Sequence, residues 1–434
     1  HKWLQSSRTN TNQDALCLLL LSWFTKMNAA RCVWILSIII CVARGHVGND
    51  IGQNQKEQDT SADNSTESLS LVTAANREFA FRLYRSLAAN PDSQGKNIFF
   101  SPVSVSVALA ALAVGARGET HRQLFRGLAF NSTWLSQTDV DQAFQSLFEK
   151  TKKASNEVTS EGTAVFMDNL FKPQPEFLDT LKKSYFADGF NVDFTKSSES
   201  ANTINKYVEE KTSGKIDKLV ESLDPTTVMY LISYIYFKGK WETPFDPDLT
   251  KEDLFMVPVQ MMNIEKRFET YRDQMFNTSV LHLPFNSSHS MLLLLPDDMA
   301  KLENAISAAH VTKWLKWMKY RKYSVYIPKF SIKTSYSLKT VLTEMGMVDM
   351  FGDRADLSGI AEGQQLAVSE VVHQATLDVD EAGATAAAAT GIAITLYSYN
   401  YVPVLKFNRP FMVIITDHSS DNILFMGKIT NPNI

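Results

Sequence analysis

The sequence predicts one domain of mixed α and β structure, an α+β class with several sheets. Three observations predict it. Apolar residues recur at helical spacing in some segments and in strand-like runs in others, and the two kinds interleave without a regular strand–helix–strand rhythm. From about residue 75 to 434, no Pro/Gly/Ser linker and no internal repeat interrupts the chain.

In chain order, the first features are two apolar runs, 15–24 and 32–43, both shorter than the ~20 residues that cross a bilayer. The chain begins with His, and its first methionine is Met27. From there a short stretch ends in Arg31, an apolar core covers 32–42, and Ala43 and Gly45 put small residues at the cleavage positions. Residues 27–45 are expected to be a signal peptide, with 1–26 as upstream sequence; a signal anchor is the alternative. Residues 46–75 are polar and rich in Gln, Asp, Ser and Asn, the composition of a disordered tail.

In 79–87, Ala80, Leu83, Tyr84 and Leu87 follow helical spacing. Ser101 and Pro102 supply an N-cap and an N1 proline for an apolar, hence buried, helix over 103–114, with Gly115 to close it. Leu338, Val341, Leu342 and Met345 mark another helix, ended by Gly346. Strand-like stretches are 227–237, 290–295, 323–332, 402–407, 411–416 and 423–428. In 374–380, Ala375, Leu377 and Val379 alternate with Thr376, Asp378 and Asp380, the pattern of a strand with one buried face.

Hydrophobic residues make up 44% and charged residues 21%, ordinary globular usage. A formal charge of -4, without an aromatic–basic motif, argues against a nucleic-acid partner. All three cysteines, Cys17, Cys32 and Cys41, precede the expected cleavage point, so the mature chain relies on its core alone. Four Asn-x-Ser/Thr sequons, at Asn64, Asn131, Asn277 and Asn286, fit a secreted, extracellular glycoprotein with no membrane partner. There is no Gly-x-Ser-x-Gly elbow, His-Glu-x-x-His, P-loop or Gly-x-Gly-x-x-Gly, so no enzyme class is supported. Asp378-Val-Asp-Glu-Ala-Gly383 begins like a calcium loop. It lacks the fifth-position ligand and has Ala389 at the twelfth, so neither a metal nor another cofactor is expected.

One segment fits no ordinary element. From 382 to 405 there is no charge, and no proline before Pro403. Its Ala and Thr side chains are small enough to slide between strands that are already packed. Without proline every N–H is free for a ladder, and without charge no unpaired ion is buried. Insertion of about a dozen residues, at ~1 kcal/mol net per ladder bond, would release on the order of ten kcal/mol. A flexible Ala-rich surface loop is the alternative.

Asp380-Glu-Ala-Gly-Ala-Thr-Ala-Ala-Ala388 resembles the hinge of a serpin reactive-centre loop. Phe407-Asn-Arg-Pro-Phe411 and Phe425-Met-Gly-Lys-Ile-Thr-Asn-Pro432 resemble the serpin C-terminal signature. Asn97-Ile-Phe-Phe-Ser-Pro-Val-Ser104, Phe237-Lys-Gly-Lys-Trp241 and Ala355-Asp-Leu-Ser-Gly359 are similar to further family motifs, in the family's order. The resemblance covers about 76–434 and is nearest to the secreted α1-antitrypsin/antichymotrypsin group. It implies one serpin domain over 76–434 with three sheets, about eight or nine helices, an exposed reactive-centre loop over about 381–403, and a monomer.

It also implies suicide inhibition of a serine protease by covalent trapping and loop insertion. Counting sixteen residues beyond Glu381 places the family's P1 at Tyr397 and P1′ at Ser398. The stretch from there to Pro410 is about two residues longer than in α1-antitrypsin, so Tyr399 stays open as P1, with Tyr401 behind it. All three suit the hydrophobic slot of a chymotrypsin-like protease. The hinge residues Gly383, Ala384, Thr385, Ala386, Ala387, Ala388 and Ala389 are small, as inhibitory members require, with Ala384 where the family commonly has Thr. Ser101, Ser104 and His373 match a polar cluster under the central sheet; Ser233 replaces a common Asn, which puts one of its hydrogen bonds in question. Lys329 and Glu381 match an ion pair beside Trp241 at the top of the sheet. Lys313, Lys316, Lys319, Arg321 and Lys322, among Trp314, Trp317 and Tyr320, lie where some relatives bind heparin; a solvated helix face is the plainer reading. A second functional class is the non-inhibitory hormone carrier, which has no need of a small-residue hinge.

Overall fold

The computed structural model describes residues 53–154, 158–362, 365–382 and 402–434. The upstream sequence 1–26, the signal peptide 27–45, the hinge from Gly383 to Ala389, and Tyr397, Ser398 and Tyr399 lie outside them. By its contacts the chain divides between Ser61 and Ala62, and the unit Ala62–Ile434 is described below.

Helix α1 (Gln53–Ala89) corrects the expected tail: Val72, Thr73, Ala75 and Asn76 are buried in it. Its inward stripe runs Leu69, Val72, Asn76, Phe79, Leu83, Leu87. Asn76 breaks that stripe in the sequence, yet it is buried and accepts a hydrogen bond from Ser106 Oγ at 2.6 Å. A paired polar group can occupy a core position, which hides the periodicity.

There follow β1 (Ile98–Phe100), α2 (Pro102–Gly115), α3 (Gly118–Gly127), α4 (Gln137–Ala154), β2 (Val158–Asp168), α5 (Pro175–Ser184) and β3 (Asp188–Val192). Next are α6 (Ser197–Lys211), β4 (Met229–Lys238), β5 (Lys251–Leu254), β6 (Pro258–Asp273), β7 (Thr278–Pro284) and β8 (His289–Pro296). The last are α7 (Met299–Ala305), α8 (Ala308–Trp317), β9 (Lys319–Pro328), β10 (Phe330–Ser337), α9 (Lys339–Glu344), β11 (Glu370–Val379), β12 (Val404–Lys406), β13 (Phe411–Asp417) and β14 (Asn422–Ile429). Among the described residues this makes nine α-helices.

The expected helix caps are present. Ser101 caps α2 and accepts from the Ser104 N–H, Pro102 opens the helix, and nearly all of its residues are buried. Gly115 is needed for packing: a Cβ there would lie 2.1 Å from Ile360. Gly346 takes φ +91°, the left-handed turn expected after α9.

The described strands form two hydrogen-bonded networks where three sheets were expected. One has nine strands, and the other has five in the order β10-β11-β4-β2-β3. The larger network is continuous because the 16-residue β6 pairs β5 and β9 along its first part and β7 along its last five residues. Two sheets are thereby joined through one strand. The run 323–332 is likewise not one strand: it breaks at Lys329 between β9 of the larger network and β10 of the smaller. Helix α2 packs against β2 and β4 on one side and β14 on the other, so it is the filling between networks. Phe166, Ile204, Val208, Leu219 and Ile232 form a further core on the outer face of the five-stranded sheet, under α6 and the segment after it.

Candidate functional site

In the five-stranded sheet, β4 and β11 are neighbours and run parallel, with Ser233 opposite His373. A segment folding back after β11 would run antiparallel to both. Parting the two strands would therefore exchange one parallel ladder for two antiparallel ones, the more stable pairing per residue.

The end of this seam from which the chain leaves β11 is clamped. The indole Nε1–H of Trp241 donates to the Asp380 carbonyl at 2.7 Å. The backbone N–H groups of Trp241 and Phe245 donate to the carbonyls of Ala382 and Glu381, both at 3.1 Å. Three successive carbonyls are thus held by residues 241–245. The Trp241 ring is fixed by stacking on Phe285, with centroids 4.5 Å apart, and by an edge contact with Phe245. The Glu381 carboxylate accepts from Lys329 Nζ and Thr250 Oγ1, both at 2.9 Å, and Asp380 pairs with Lys238 at 2.7 Å. Burial pushes the Glu381 carboxyl up, but the bonds from Lys329 and Thr250 outweigh it and hold the group below the usual carboxylate range. The structure brings Lys329, Glu381 and Trp241 together. It adds Phe245 and Thr250, which no periodicity or motif singles out, and gives Lys238 of the Phe237–Trp241 motif a partner in Asp380.

Farther down the seam, the Ser101 N–H donates to His373 Nε2 at 2.9 Å, and the Ser101 and Ser104 hydroxyls are 2.9 Å apart. With Nε2 accepting, the neutral ring carries its proton on Nδ1, which donates to Ser233 Oγ at 3.1 Å. Serine at this position therefore still completes the cluster, tying β4, β11 and the start of α2 together. His373 is fully buried, and burial pulls its pKa down to about 3.

The proton linkage of His373 has a definite sign. In the unfolded chain the ring titrates near ~6.5, so between that value and about 3 the unfolded state binds the extra proton. The stability tied to neutral His373 is complete above ~6.5 and declines as pH falls, by about 1.4 kcal/mol per pH unit. Urea unfolding from pH 7 to 4 is expected to show this extra slope relative to His373→Gln; parallel profiles would refute it.

The face of β11 opposite His373 is also buried, contrary to the one-sided strand expected. Gln374 is 1% exposed and Thr376 is 7% exposed, and Val372 on the same face belongs to the core formed with Ile204, Val208 and Leu219. Neither the Gln374 amide nor the Thr376 hydroxyl has a hydrogen-bond partner among the described residues. Each such group costs about 1–3 kcal/mol.

The other candidates are scattered. Asn131, Asn277 and Asn286 are exposed, and Asn64 falls in the part of α1 whose side chains lie outside the described ones. Two of the five basic residues are paired with carboxylates. Lys313 bonds the buried Asp273 carboxylate at 3.2 Å, and Lys322 pairs with Glu265 at 2.7 Å. Trp314 is buried, with its N–H on Asp273. Lys319 and Arg321 line one cavity with Trp317, whereas Tyr320 lines another. No helix among the described residues is long and apolar enough to cross a membrane.

The family model described as "Serpin (serine protease inhibitor)" matches residues 74–432. The chain belongs to the serpin family. It is 37% identical over 407 residues to an alpha-1-antitrypsin-like protein of Tamias sibiricus, covering 92% of this chain and 97% of that one. It is 37% identical over 420 residues to serpin A3-5 of Bos taurus, covering 94% and 100%. Human thyroxine-binding globulin in complex with its hormone superposes with a TM-score of 0.78 at 33% identity, over 85% of this chain and 100% of that one. The mixed α+β architecture is that of the family, whose model is described by serine protease inhibition.

Proposed function

We propose that this serpin is a secreted inhibitor that traps a chymotrypsin-like serine protease as a covalent acyl-enzyme and inserts its cut loop between β4 and β11. The protease serine attacks the Tyr397 carbonyl and forms an ester. The Tyr397–Ser398 bond breaks, and the new amine of Ser398 leaves with the proton. The freed end of the loop then folds back along β11 and carries the protease with it before water reaches the ester. This chain supplies bait and a place for the strand. In this reading residues 27–45 are a removed signal peptide, 76–434 act as one monomeric domain, and exposed Asn131, Asn277 and Asn286 accept glycans.

The observation that carries the reading is the seam: two parallel neighbours with unpaired polar groups, followed in the sequence by a segment with the composition of a missing strand. Mixing the mature protein with chymotrypsin tests it. An SDS-stable complex and a released peptide starting at Ser398 are expected; a peptide starting at Asn400 would move P1 to Tyr399. The similarity to thyroxine-binding globulin favours one other reading, a hormone carrier. Cleavage without complex, by chymotrypsin and by other serine proteases, would put that reading first. A heparin site, if present, draws on Lys316, Lys319 and Arg321, because Lys313 and Lys322 are engaged with carboxylates.

A further inference from the structure

We propose that a cavity beside the Trp241 clamp binds a small uncharged apolar ligand, and that this ligand controls how readily β4 and β11 part. The cavity has a volume of about 330 Å³ and is walled by Trp241, Phe245, Ile264, Phe268, Leu283 and Pro284. That volume lies at the lower end of the ~300–1,000 Å³ typical of small-molecule sites.

The rim selects the ligand. Lys266 and Arg267 stand against Glu242 and Glu269, two cations and two anions that cancel. Lys266 donates to Thr243, and Glu269 accepts from His282 Nδ1 at 2.8 Å. An ion entering this cavity would leave water for a surface of no net opposite charge, so an uncharged body is favoured. The His282 ring also lines the cavity, and its Nε2 is buried with no partner among the described residues. With Nδ1–H donated to Glu269, Nε2 is a lone-pair acceptor, which favours a ligand carrying one hydroxyl.

Trp241 and Phe245 make the link to the seam. The residues whose rings wall the cavity hold the carbonyls of Asp380, Glu381 and Ala382. A ligand packed on those rings stabilises the clamped form. By linkage, the clamped protein binds it more tightly than a form in which the loop has left the clamp. This second half rests on the inhibitor reading; the binding half does not.

The probe is 2-naphthol, an uncharged fluorescent phenol, with 2-naphthalenesulfonate as its anionic counterpart. Fluorescence titration of the intact protein should show saturable 2-naphthol binding at least tenfold tighter than the sulfonate. Thr243→Trp, which fills the mouth, should weaken it at least tenfold without changing the melting temperature, and Ile264→Glu, which charges the wall, should weaken it at least tenfold in protein that still melts cooperatively well above the assay temperature. Absent binding, a preference for the sulfonate, or affinity unchanged in both variants would overturn the site. Protein cut in its loop by thermolysin should bind 2-naphthol at least fivefold more weakly. Equal affinity in cut protein that melts higher than intact protein would overturn the coupling. Cut protein that melts no higher would instead fail the inhibitor reading and leave the site to be decided by the two variants.

Discussion

Ala386→Arg is expected to turn the protein from an inhibitor into a substrate. If residues after Ala382 fold back as a strand between β4 and β11, their side chains alternate between the two faces of the sheet. Residue 386 would lie beside about Thr376 and Leu377, where both faces are buried: Leu377 is 0% exposed on one side and Thr376 is 7% exposed on the other. A guanidinium at residue 386 is therefore buried without a partner in either register, at a cost of several kcal/mol. Trapping and hydrolysis of the acyl-enzyme compete as rates. If about 3 kcal/mol of that cost appears in the insertion barrier, the ratio of trapped to hydrolysed protease falls by about two orders of magnitude. The bond at Tyr397 is about eleven residues away, so cleavage persists. Gel analysis with chymotrypsin should show the complex lost and the C-terminal peptide still released, with Ala386→Thr behaving like the parent. Undiminished complex with Ala386→Arg would mean that residue 386 never enters the sheet.

How much of this was legible in the sequence depended on how local the cause was. Helix α2 could be read because Ser101, Pro102 and an apolar run state cap, start and burial within fifteen residues. The first half of the inward stripe of α1 could not, because Asn76 owes its core position to Ser106 and Asn422, which are distant in the chain. The break at Lys329 was invisible because β9 and β10 differ only in which network they join. Alternation in 374–380 points to a one-sided strand because Gln374 and Thr376 are polar, and nothing local shows that they are buried.

The site divides in the same way. As site residues, Ser101, Ser104, Ser233, His373, Trp241, Lys329 and Glu381 are legible only through the family resemblance; the first four meet in one cluster and the last three in another. Thr250 and Phe245 reach Glu381 through a hydroxyl and a backbone N–H, for which no residue pattern is diagnostic. The basic run 313–322 looked like one patch because it is contiguous. Two of its lysines are tied to carboxylates and Trp314 is buried, pairings that contiguity in sequence does not reveal.

The second large effect expected is on stability after cleavage. Insertion of about a dozen residues would add ladder bonds worth on the order of ten kcal/mol. It would also bring new backbone groups alongside Gln374 and Thr376, which lack partners in the five-stranded sheet. At about 2 cal/mol/K per residue of unfolding entropy, that gain raises the melting temperature of a chain this size by roughly 10 °C or more. Thermolysin is the reagent to use, because a metalloprotease attacks with water and forms no acyl-enzyme that would be trapped. The decisive measurement is calorimetry of intact and thermolysin-cut protein side by side, with mass spectrometry placing the cut between residues 383 and 401. The account predicts a cut protein that melts far above the intact one. Equal or lower melting would contradict it, because the space between β4 and β11 would then not be a place for a strand.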